Sequence, residues 1–272
     1  MGAVEPEPAA LAAVAEQVAV EAAELVGRAR ESMLAGGAVT VDTKTSKTDV
    51  VTAVDHQSER FLRARLAELR PGEPVLGEEG GGEAGDAVTW VVDPIDGTVN
   101  FLYGLPEFSV SVAAQIAGVS VAGAVVEPVS GRRWTAARGE GAWLDGRRLR
   151  VSSPERLDVA LLGTGFSYRP ERRARQAELI AGLLGHVRDI RRPGSASLDL
   201  CAVAAGWTDA YLEHGLKRWD WAAGALIAEE AGAVVSLPGQ DRELGSDATL
   251  AAAPSVAAEL REAAIKCGAA GV

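Results

Sequence analysis

A twelve-residue segment, WVVDPIDGTVNF at positions 90–101, constrains the fold of this chain more than any other feature. An apolar, β-branched run ends at Asp93, and a second acid, Asp96, follows three residues later. A buried strand that delivers two carboxylates into a turn places hard oxygen ligands at the end of a sheet. Gly97 and Thr98 then offer backbone N–H groups and a hydroxyl, which suit a phosphate. Asp-Pro and Asp-Gly also form ordinary turns, so the segment alone favours a turn and a site about equally.

The composition is that of an ordinary globular protein and argues against a nucleic-acid-binding surface. The 272 residues are 47% hydrophobic and carry a formal net charge of -11, enough chain for one large domain. A nucleic-acid backbone must be met by Lys and Arg, so we expect no nucleic-acid partner. The most apolar stretch, 110–126, is broken by Gln and Gly and predicts two strands, so we expect no membrane partner either. Cys201 and Cys267 lie far apart and the N-terminus lacks a basic signal region, which predicts a cytoplasmic protein.

In the first half of the chain, apolar periodicity predicts helices packed on an antiparallel sheet. Apolar residues recur at helical spacing from Leu11 to about Leu34, and again from Phe61 to Leu69, where Pro71 ends the pattern. The predicted strands of this half are 50–54, 75–79, 88–92, 109–114, 119–127 and 133–137.

The second half alternates short strands with helices, and this βαβ rhythm predicts a mixed or parallel sheet. We expect a single domain over 1–272. It divides softly near 151–154 into an N-terminal α+β part, 1–152, and a C-terminal α/β part, 153–272. The predicted strands are 159–163, 187–191, 209–213 and 233–237; the predicted helices are 172–184, 194–206, 219–231 and one starting at Pro254.

Five acids share one kind of position. Asp55, Glu78, Asp93 and Asp96 each fall at or just beyond the end of a short apolar strand, and Asp220 falls at the start of a helix. Ligand sites of α/β proteins gather at such strand ends and helix starts. Oxygen ligands with no His or Cys nearby select Mg²⁺, Ca²⁺ or Mn²⁺ over Zn²⁺. Each acid could instead cap a local turn, but five acids in matching positions favour a metal site.

These motifs resemble the signatures of the inositol monophosphatase family, in particular its bacterial inositol-1-monophosphatase branch. The likeness runs from about residue 21 to about residue 253. It implies a layered αβαβα sugar-phosphatase fold of the α+β / α/β class, with an antiparallel sheet in the N-terminal half and a mixed sheet in the C-terminal half. The matching segments are 44–55, 77–79, 93–98, 194–196, 209–215 and 219–224.

The resemblance also implies a set of metal ligands. Glu78, Asp93 and the carbonyl of Ile95 would hold one ion, and Asp93, Asp96 and Asp220 would hold a second. A third ion would bind near Glu78, so two or three Mg²⁺ ions are expected in total.

Catalytic and substrate roles follow from the same resemblance. Asp55, Glu78 and Thr98 would position and deprotonate a metal-activated water, since a Thr hydroxyl alone is a poor base. A mobile loop would carry Lys44 and Asp49 and make the activity sensitive to lithium. The implied substrate-binding residues are Gly97, Thr98, Gly194, Ser195, Ala196 and Glu213. The resemblance thus implies that the single domain is catalytic, with most metal ligands in its N-terminal part, 1–152, and substrate contacts in its C-terminal part, 153–272.

The implied activity is metal-dependent hydrolysis of inositol phosphate monoesters to inositol and phosphate, and the implied substrate is a small phosphorylated polyol. Histidinol phosphate, fructose 1,6-bisphosphate or a nucleotide 3′-phosphate are alternative substrates. A regulatory protein that binds a transcription or RNA complex is an alternative of another class. We also expect a homodimer, with contacts around Phe166, Tyr168 and the strand 187–191, away from the metal carboxylates.

Overall fold

The computed structural model describes residues 7–44 and 50–272. The predicted loop residue Asp49 lies outside this part of the chain. In the first half, the described elements are helices α1 (Pro8–Leu34), α2 (Ala53–Leu69) and α3 (Thr98–Leu102) and strands β1 (Val41–Thr43), β2 (Val50–Thr52), β3 (Val75–Gly77), β4 (Val88–Asp96), β5 (Ser109–Ile116), β6 (Val119–Val126), β7 (Arg133–Ala137), β8 (Gly141–Leu144) and β9 (Arg147–Arg148).

Strands β3 to β9 form one sheet whose order follows the chain. Neighbouring strands are antiparallel except for β3, which runs parallel to β4. This arrangement agrees with the predicted antiparallel sheet, because consecutive hairpins need only short turns. Helices α1 and α2 cover one face, where Leu11, Val18 and Leu62 pack against Trp90 and Val112.

The second half builds a mixed sheet, as predicted. Strand β10 (Leu161–Thr164) is parallel to β11 (Asp189–Arg191) and to β12 (Ala210–His214), whereas β14 (Ala248–Ala252) runs antiparallel to β12 and to β13 (Val234–Ser236). The strand order is β11-β10-β12-β14-β13, so β11 is an edge strand. The helices of this half are α4 (Pro170–Leu183), α5 (Ala196–Ala204), α6 (Arg218–Glu230) and α7 (Ala257–Lys266).

Two helices are shared between the sheets and complete the αβαβα layers. Helices α5 and α6 lie between them, with Leu200 and Ala223 in one cluster with Ala113 of the first sheet and Tyr211 of the second. A Cβ at Gly123 would lie 3.0 Å from the Cα of Ala223, so glycine allows α6 to approach β6 closely. Helices α4 and α7 cover the far face of the second sheet. The layered fold implied by the resemblance is therefore confirmed.

Two local predictions are wrong, and one strand was missed. The strand expected to end at Val92 continues to Asp96, because its pairing with β5 resumes after an irregularity between Asp93 and Asp96. Asp55 does not follow a strand of residues 50–54: the strand ends at Thr52 and Asp55 lies in the first turn of α2. Strand β14 was not predicted, since its sequence ATLAA has neither clear alternation nor many β-branched residues.

A search of the described helices found none with the length and apolar character needed to cross a bilayer.

Candidate metal centre and substrate cavity

The irregularity in β4 brings two acids to one side of the sheet. Asp93 pairs with Ser111 and Asp96 with Ser109, so three steps along β4 match two steps along β5. In a regular strand, residues three apart point to opposite faces, and one extra residue reverses that alternation. Pro94 fits this irregular position because it has no N–H to pair. The Oδ1 atom of Asp93 accepts a hydrogen bond from the N–H of Ile95 at 3.0 Å, which fixes the turn.

Asp96 joins the first sheet to helix α5. Its carboxylate accepts hydrogen bonds from the Ser195 hydroxyl at 2.6 Å and from the N–H and hydroxyl of Ser197 at 2.7 and 2.6 Å. The N–H of Ala196 lies 3.3 Å from its other oxygen. An acid at a helix start satisfies N–H groups that have no partner within the helix. These hydrogen bonds hold Ser195 and Ala196, two of the predicted substrate-binding residues, next to the Asp96 carboxylate.

Asp220 reaches the same place from the first turn of α6. One of its oxygens accepts a hydrogen bond from the N–H of Lys217 at 2.5 Å, as in a capping box. Carboxylate oxygens of Asp93, Asp96 and Asp220 all lie within 4.8 Å of one another. Such a group of hard oxygen donors could hold a divalent cation.

The described residues balance the negative charge of this cluster only in part. Burial, and then the charges of Glu78 and Asp96, raise the pKa values of Asp93 and Asp220 well above the ordinary range. The Nζ atom of Lys44 lies 2.7 Å from Glu78 and offsets part of this charge. Burial still raises the pKa of Glu78 to about 7. Like charges this close, away from water, require a counter-ion or protons.

Glu78 lies outside the group of oxygens within 4.8 Å. It follows β3, and Lys44 also bonds its neighbour Glu79 at 2.5 Å. The buried carboxylate of Glu59 accepts the N–H groups of Glu79 at 2.6 Å and Gly80 at 2.8 Å. Glu59 therefore holds the turn that carries Glu78 next to the cluster.

A further acid, Asp55, is linked to β4 through the hydroxyl of Thr98. The Thr98 hydroxyl lies 3.0 Å from an oxygen of Asp55 and 3.0 Å from the carbonyl oxygen of Ile95. The other Asp55 oxygen accepts hydrogen bonds from the N–H and hydroxyl of Thr52. Burial raises the pKa of Asp55 despite these hydrogen bonds from Thr52. The structure thus brings the predicted Asp55, Thr98 and Ile95 into direct contact.

One cavity of about 840 Å³ is lined by Lys44, Glu78, Asp96 and Asp220. The predicted substrate residues Gly97, Gly194, Ser195, Ala196 and Glu213 line it as well. Phe166 and Tyr168, predicted at a dimer contact away from the metal carboxylates, line this same cavity.

Gly97 and Gly194 approach each other closely in the lining of this cavity. Both have positive φ angles, of 99° and 106°. A Cβ at Gly97 would lie 3.3 Å from the Gly194 carbonyl oxygen, and one at Gly194 would lie 2.8 Å from the Arg192 guanidinium. The side chain of Asn100 donates hydrogen bonds to the carbonyls of Glu107 and Pro193 and ties the two loops together. Only glycine fits this backbone shape and this close approach.

Sequence reasoning missed several polar residues of the site. Lys44 was expected in the mobile loop, but its ion pairs with Glu78 and Glu79 were not predicted. Glu59, Ser197 and Asp199 were not singled out. Lys44 and Glu59 act through contacts between distant segments, which leave no local pattern. Asp199 had a detectable signal, because it is an acid inside the apolar helical run ASLDLCAVA.

Fold and site together define a layered protein in which buried carboxylates that could hold a hard cation lie beside a cavity large enough for a small molecule. A family model described as the inositol monophosphatase family matches residues 7–268. This chain therefore belongs to the inositol monophosphatase family, as its motifs predict.

Individual relatives support this assignment. An inositol-1-monophosphatase of Mycobacterium leprae is 53% identical over 267 residues, covering 92% of each chain. The solved structure of Mycobacterium tuberculosis SuhB matches with a TM-score of 0.84 and 47% identity, covering 98% of this chain and 100% of that chain. A Pseudomonas aeruginosa relative named Nus factor SuhB is 44% identical over 231 residues, covering 82% of this chain and 83% of its own.

Proposed function

We propose that this protein hydrolyses phosphate monoesters of inositol to inositol and inorganic phosphate. The observation that carries the proposal is the group of Asp93, Asp96 and Asp220 oxygens within 4.8 Å, with the Asp55–Thr98 hydrogen bond beside it. Family membership and the name of the Mycobacterium leprae relative support the substrate class.

The donor set fits Mg²⁺. Its three members are carboxylates, and all three have raised pKa values that a cation would lower. We propose two or three ions, one held by Glu78, Asp93 and the Ile95 carbonyl and one by Asp93, Asp96 and Asp220. Bound Mg²⁺ would neutralise the phosphoryl oxygens and lower the pKa of a water molecule, so that this water can lose a proton and attack phosphorus. Lithium sensitivity belongs to the same proposal.

The protein's own part in the reaction begins with Thr98. Its hydroxyl, which donates to Asp55, would orient the attacking water, and Asp55 would receive the proton. A carboxylate whose pKa is raised by burial is a stronger base than a solvated one. Glu78, which Lys44 holds beside the cluster, would help Thr98 and Asp55 to position that water. Thr52 holds Asp55 in place, so the base is oriented before the substrate binds.

The rest of the cavity would hold the substrate. We propose that Gly97 and Thr98 bind the phosphate and that Gly194, Ser195, Ala196 and Glu213 contact the polyol. Because α5 and α6 pack on both sheets, we propose one catalytic domain over 1–272. The two cysteines are unpaired, which supports a reducing, cytoplasmic environment.

A phosphate-release assay across candidate substrates tests this proposal. Inositol 1-phosphate, histidinol phosphate, fructose 1,6-bisphosphate and a nucleotide 3′-phosphate are compared in Mg²⁺. We expect the highest kcat/KM for inositol 1-phosphate. A value at least about tenfold higher for another substrate would contradict the inositol assignment.

A regulatory role is the second candidate, because the Pseudomonas aeruginosa relative carries the name Nus factor. Under the enzymatic proposal, the acids of the site serve catalysis. A stable complex with the transcription machinery that persists in an Asp93→Asn variant would instead support the regulatory role.

We also propose a homodimer. Strand β11 is the edge of its sheet and is largely exposed, and such edges are usually covered. Trp207 and Tyr103 add exposed apolar surface. Sedimentation at micromolar concentration is expected to give about twice the 28.2 kDa chain mass, whereas a single species at the chain mass would contradict the dimer.

A further inference from the structure

An acid in the cavity wall has no partner within the described residues. Asp199 lies in the first turn of α5 and is only 3% exposed. Its Oδ1 atom is buried and accepts no hydrogen bond from the residues that the structure describes. Asp199 lines the same cavity as Glu213 and the metal acids. Buried polar atoms are nearly always paired, so a missing partner on a cavity wall points to a ligand.

The backbone at Gly163 and Gly165 lies close to this acid and to Glu213. Gly163 and Gly165 are alternate residues, so they share one side of the extended chain. A Cβ at Gly163 would lie 3.8 Å from Oδ1 of Asp199 and 3.2 Å from the Tyr211 ring. A Cβ at Gly165 would lie 1.9 Å from Oε2 of Glu213. The backbone of this segment therefore seats both carboxyl groups against one wall.

The two carboxyl groups differ in their hydrogen bonds. The Tyr211 hydroxyl donates to Glu213, which keeps the remaining Glu213 oxygen as an acceptor. Burial, followed by the Glu213 and Asp96 charges, raises the pKa of Asp199 well above its usual range, and Arg192 opposes this only in part. A neutral carboxyl group can donate a hydrogen bond as well as accept one. Side by side, the pair offers a donor and an acceptor.

A pair of this kind fits hydroxyl groups better than phosphate. Each hydroxyl both donates and accepts, whereas an anionic phosphate would be repelled by Glu213. Phosphate is also accommodated at the other end of the cavity under the proposed function. The ligand of this wall is therefore the alcohol part of the substrate.

We propose that Asp199 is a second polyol-binding residue, which together with Glu213 receives two neighbouring hydroxyl groups of the substrate's alcohol. This inference rests on the proposed function, because it assumes a polyol phosphate as substrate. It adds a specificity-determining residue on α5 to the Glu213 contact from β12. Substrates without neighbouring hydroxyls would gain nothing from Asp199.

Two substrates separate this role from a structural one. Inositol 1-phosphate carries neighbouring hydroxyls, whereas p-nitrophenyl phosphate carries none. For Asp199→Ala, we expect kcat/KM for inositol 1-phosphate to fall about tenfold, mainly through KM. The loss with p-nitrophenyl phosphate should be less than about threefold. Asp199→Asn, which keeps a donor and an acceptor, should recover most of the activity towards inositol 1-phosphate.

The controls make the result decisive. Glu178→Ala removes an exposed acid of α4 that lies outside the cavity lining and should change neither substrate's kinetics by more than about twofold. Equal losses on both substrates for Asp199→Ala, or no loss on inositol 1-phosphate, would overturn the proposal. If Asp199→Ala does not fold, Asp199→Ser provides the same comparison. The wild-type substrate panel decides the proposed function separately, before any variant is made.

Discussion

The proposed metal end and the proposed polyol end of the cavity use carboxylates in different ways. At the metal end, burial and then the charges of neighbouring acids raise the pKa values of Asp93 and Asp220. At the polyol end, Glu213 accepts a hydrogen bond from the Tyr211 phenol, and Oδ1 of Asp199 has no hydrogen-bond partner among the described residues. The first arrangement requires a cation, and the second offers hydrogen bonds to hydroxyls. The groups that surround a carboxylate thus decide whether it is suited to a cation or to a hydroxyl group.

Asp93→Asn should have the largest effect, because Asp93 is proposed to bridge two ions. We expect kcat to fall by at least about a hundredfold. The metal-free variant should melt at the same temperature as the wild type or higher, because one repulsive charge is gone. Phosphate release and thermal melting in EDTA measure both effects, with Glu178→Gln, outside the cavity lining, as the control. A near-native kcat would exclude Asp93 as a bridging ligand.

Thr98→Ala tests the proton path beside the metal end. Loss of the hydroxyl between Asp55 and the Ile95 carbonyl should lower kcat by about 10²- to 10⁴-fold. Thr98→Ser keeps the hydroxyl and should retain most of the activity. If the Ala and Ser variants are equally active, the hydroxyl has no role in the reaction.

Glu213→Gln tests the polyol end and should act on a different kinetic constant. The neutral amide still accepts a hydrogen bond but loses the charge, so KM for inositol 1-phosphate should rise about threefold to tenfold. The value of kcat should change little, in contrast to Asp93→Asn. A fall in kcat at unchanged KM would contradict the division of the cavity into two ends.

The pH dependence of stability should show a smaller effect. At low pH the metal-end acids are protonated in both folded and unfolded chains, and the repulsion is absent. The folded-state pKa values are raised, that of Glu78 to about 7 from 4.5, so the folded chain holds protons that the unfolded chain releases. Stability of the metal-free protein therefore falls as pH rises from about 4.5 through 7 and beyond.

Melting in EDTA at about pH 6.5 and about pH 8 measures this effect. These two pH values exclude a contribution from His214. Burial lowers the pKa of its ring, so His214 reduces the stability of the folded protein only below pH 6.5, where the unfolded chain takes up a proton. We expect a lower Tm at the higher pH and a larger Mg²⁺-induced rise in Tm there. A Tm in EDTA that is higher at pH 8 would contradict the repulsion between these acids.

Much of the metal end could be predicted from the sequence because its signals are local. Asp93, Asp96 and Thr98 fall within six consecutive residues, and Asp220 marks a helix start. The position of Asp55 was predicted wrongly, although Thr52 three residues earlier gives the capping-box spacing that indicates a helix.

The rest depends on contacts between distant parts of the chain. The bulge that turns Asp93 and Asp96 to one side exists only through pairing with β5. Strand β14 is defined by its pairing with β12 and β13, since its alanines carry little strand preference. Lys44 reaches Glu78 across 34 residues of sequence. Such partners are chosen by tertiary structure, which a single sequence does not display.

Removal of metal ions is the sharpest test of whether a cation between the carboxylates of the metal end is needed for turnover. The described residues balance the charge of these carboxylates only in part. Phosphate release from inositol 1-phosphate is measured before and after excess EDTA, and again after Mg²⁺ is returned. We expect turnover to vanish with the chelator and to recover with Mg²⁺. Full turnover in excess EDTA would contradict the metal-dependent mechanism.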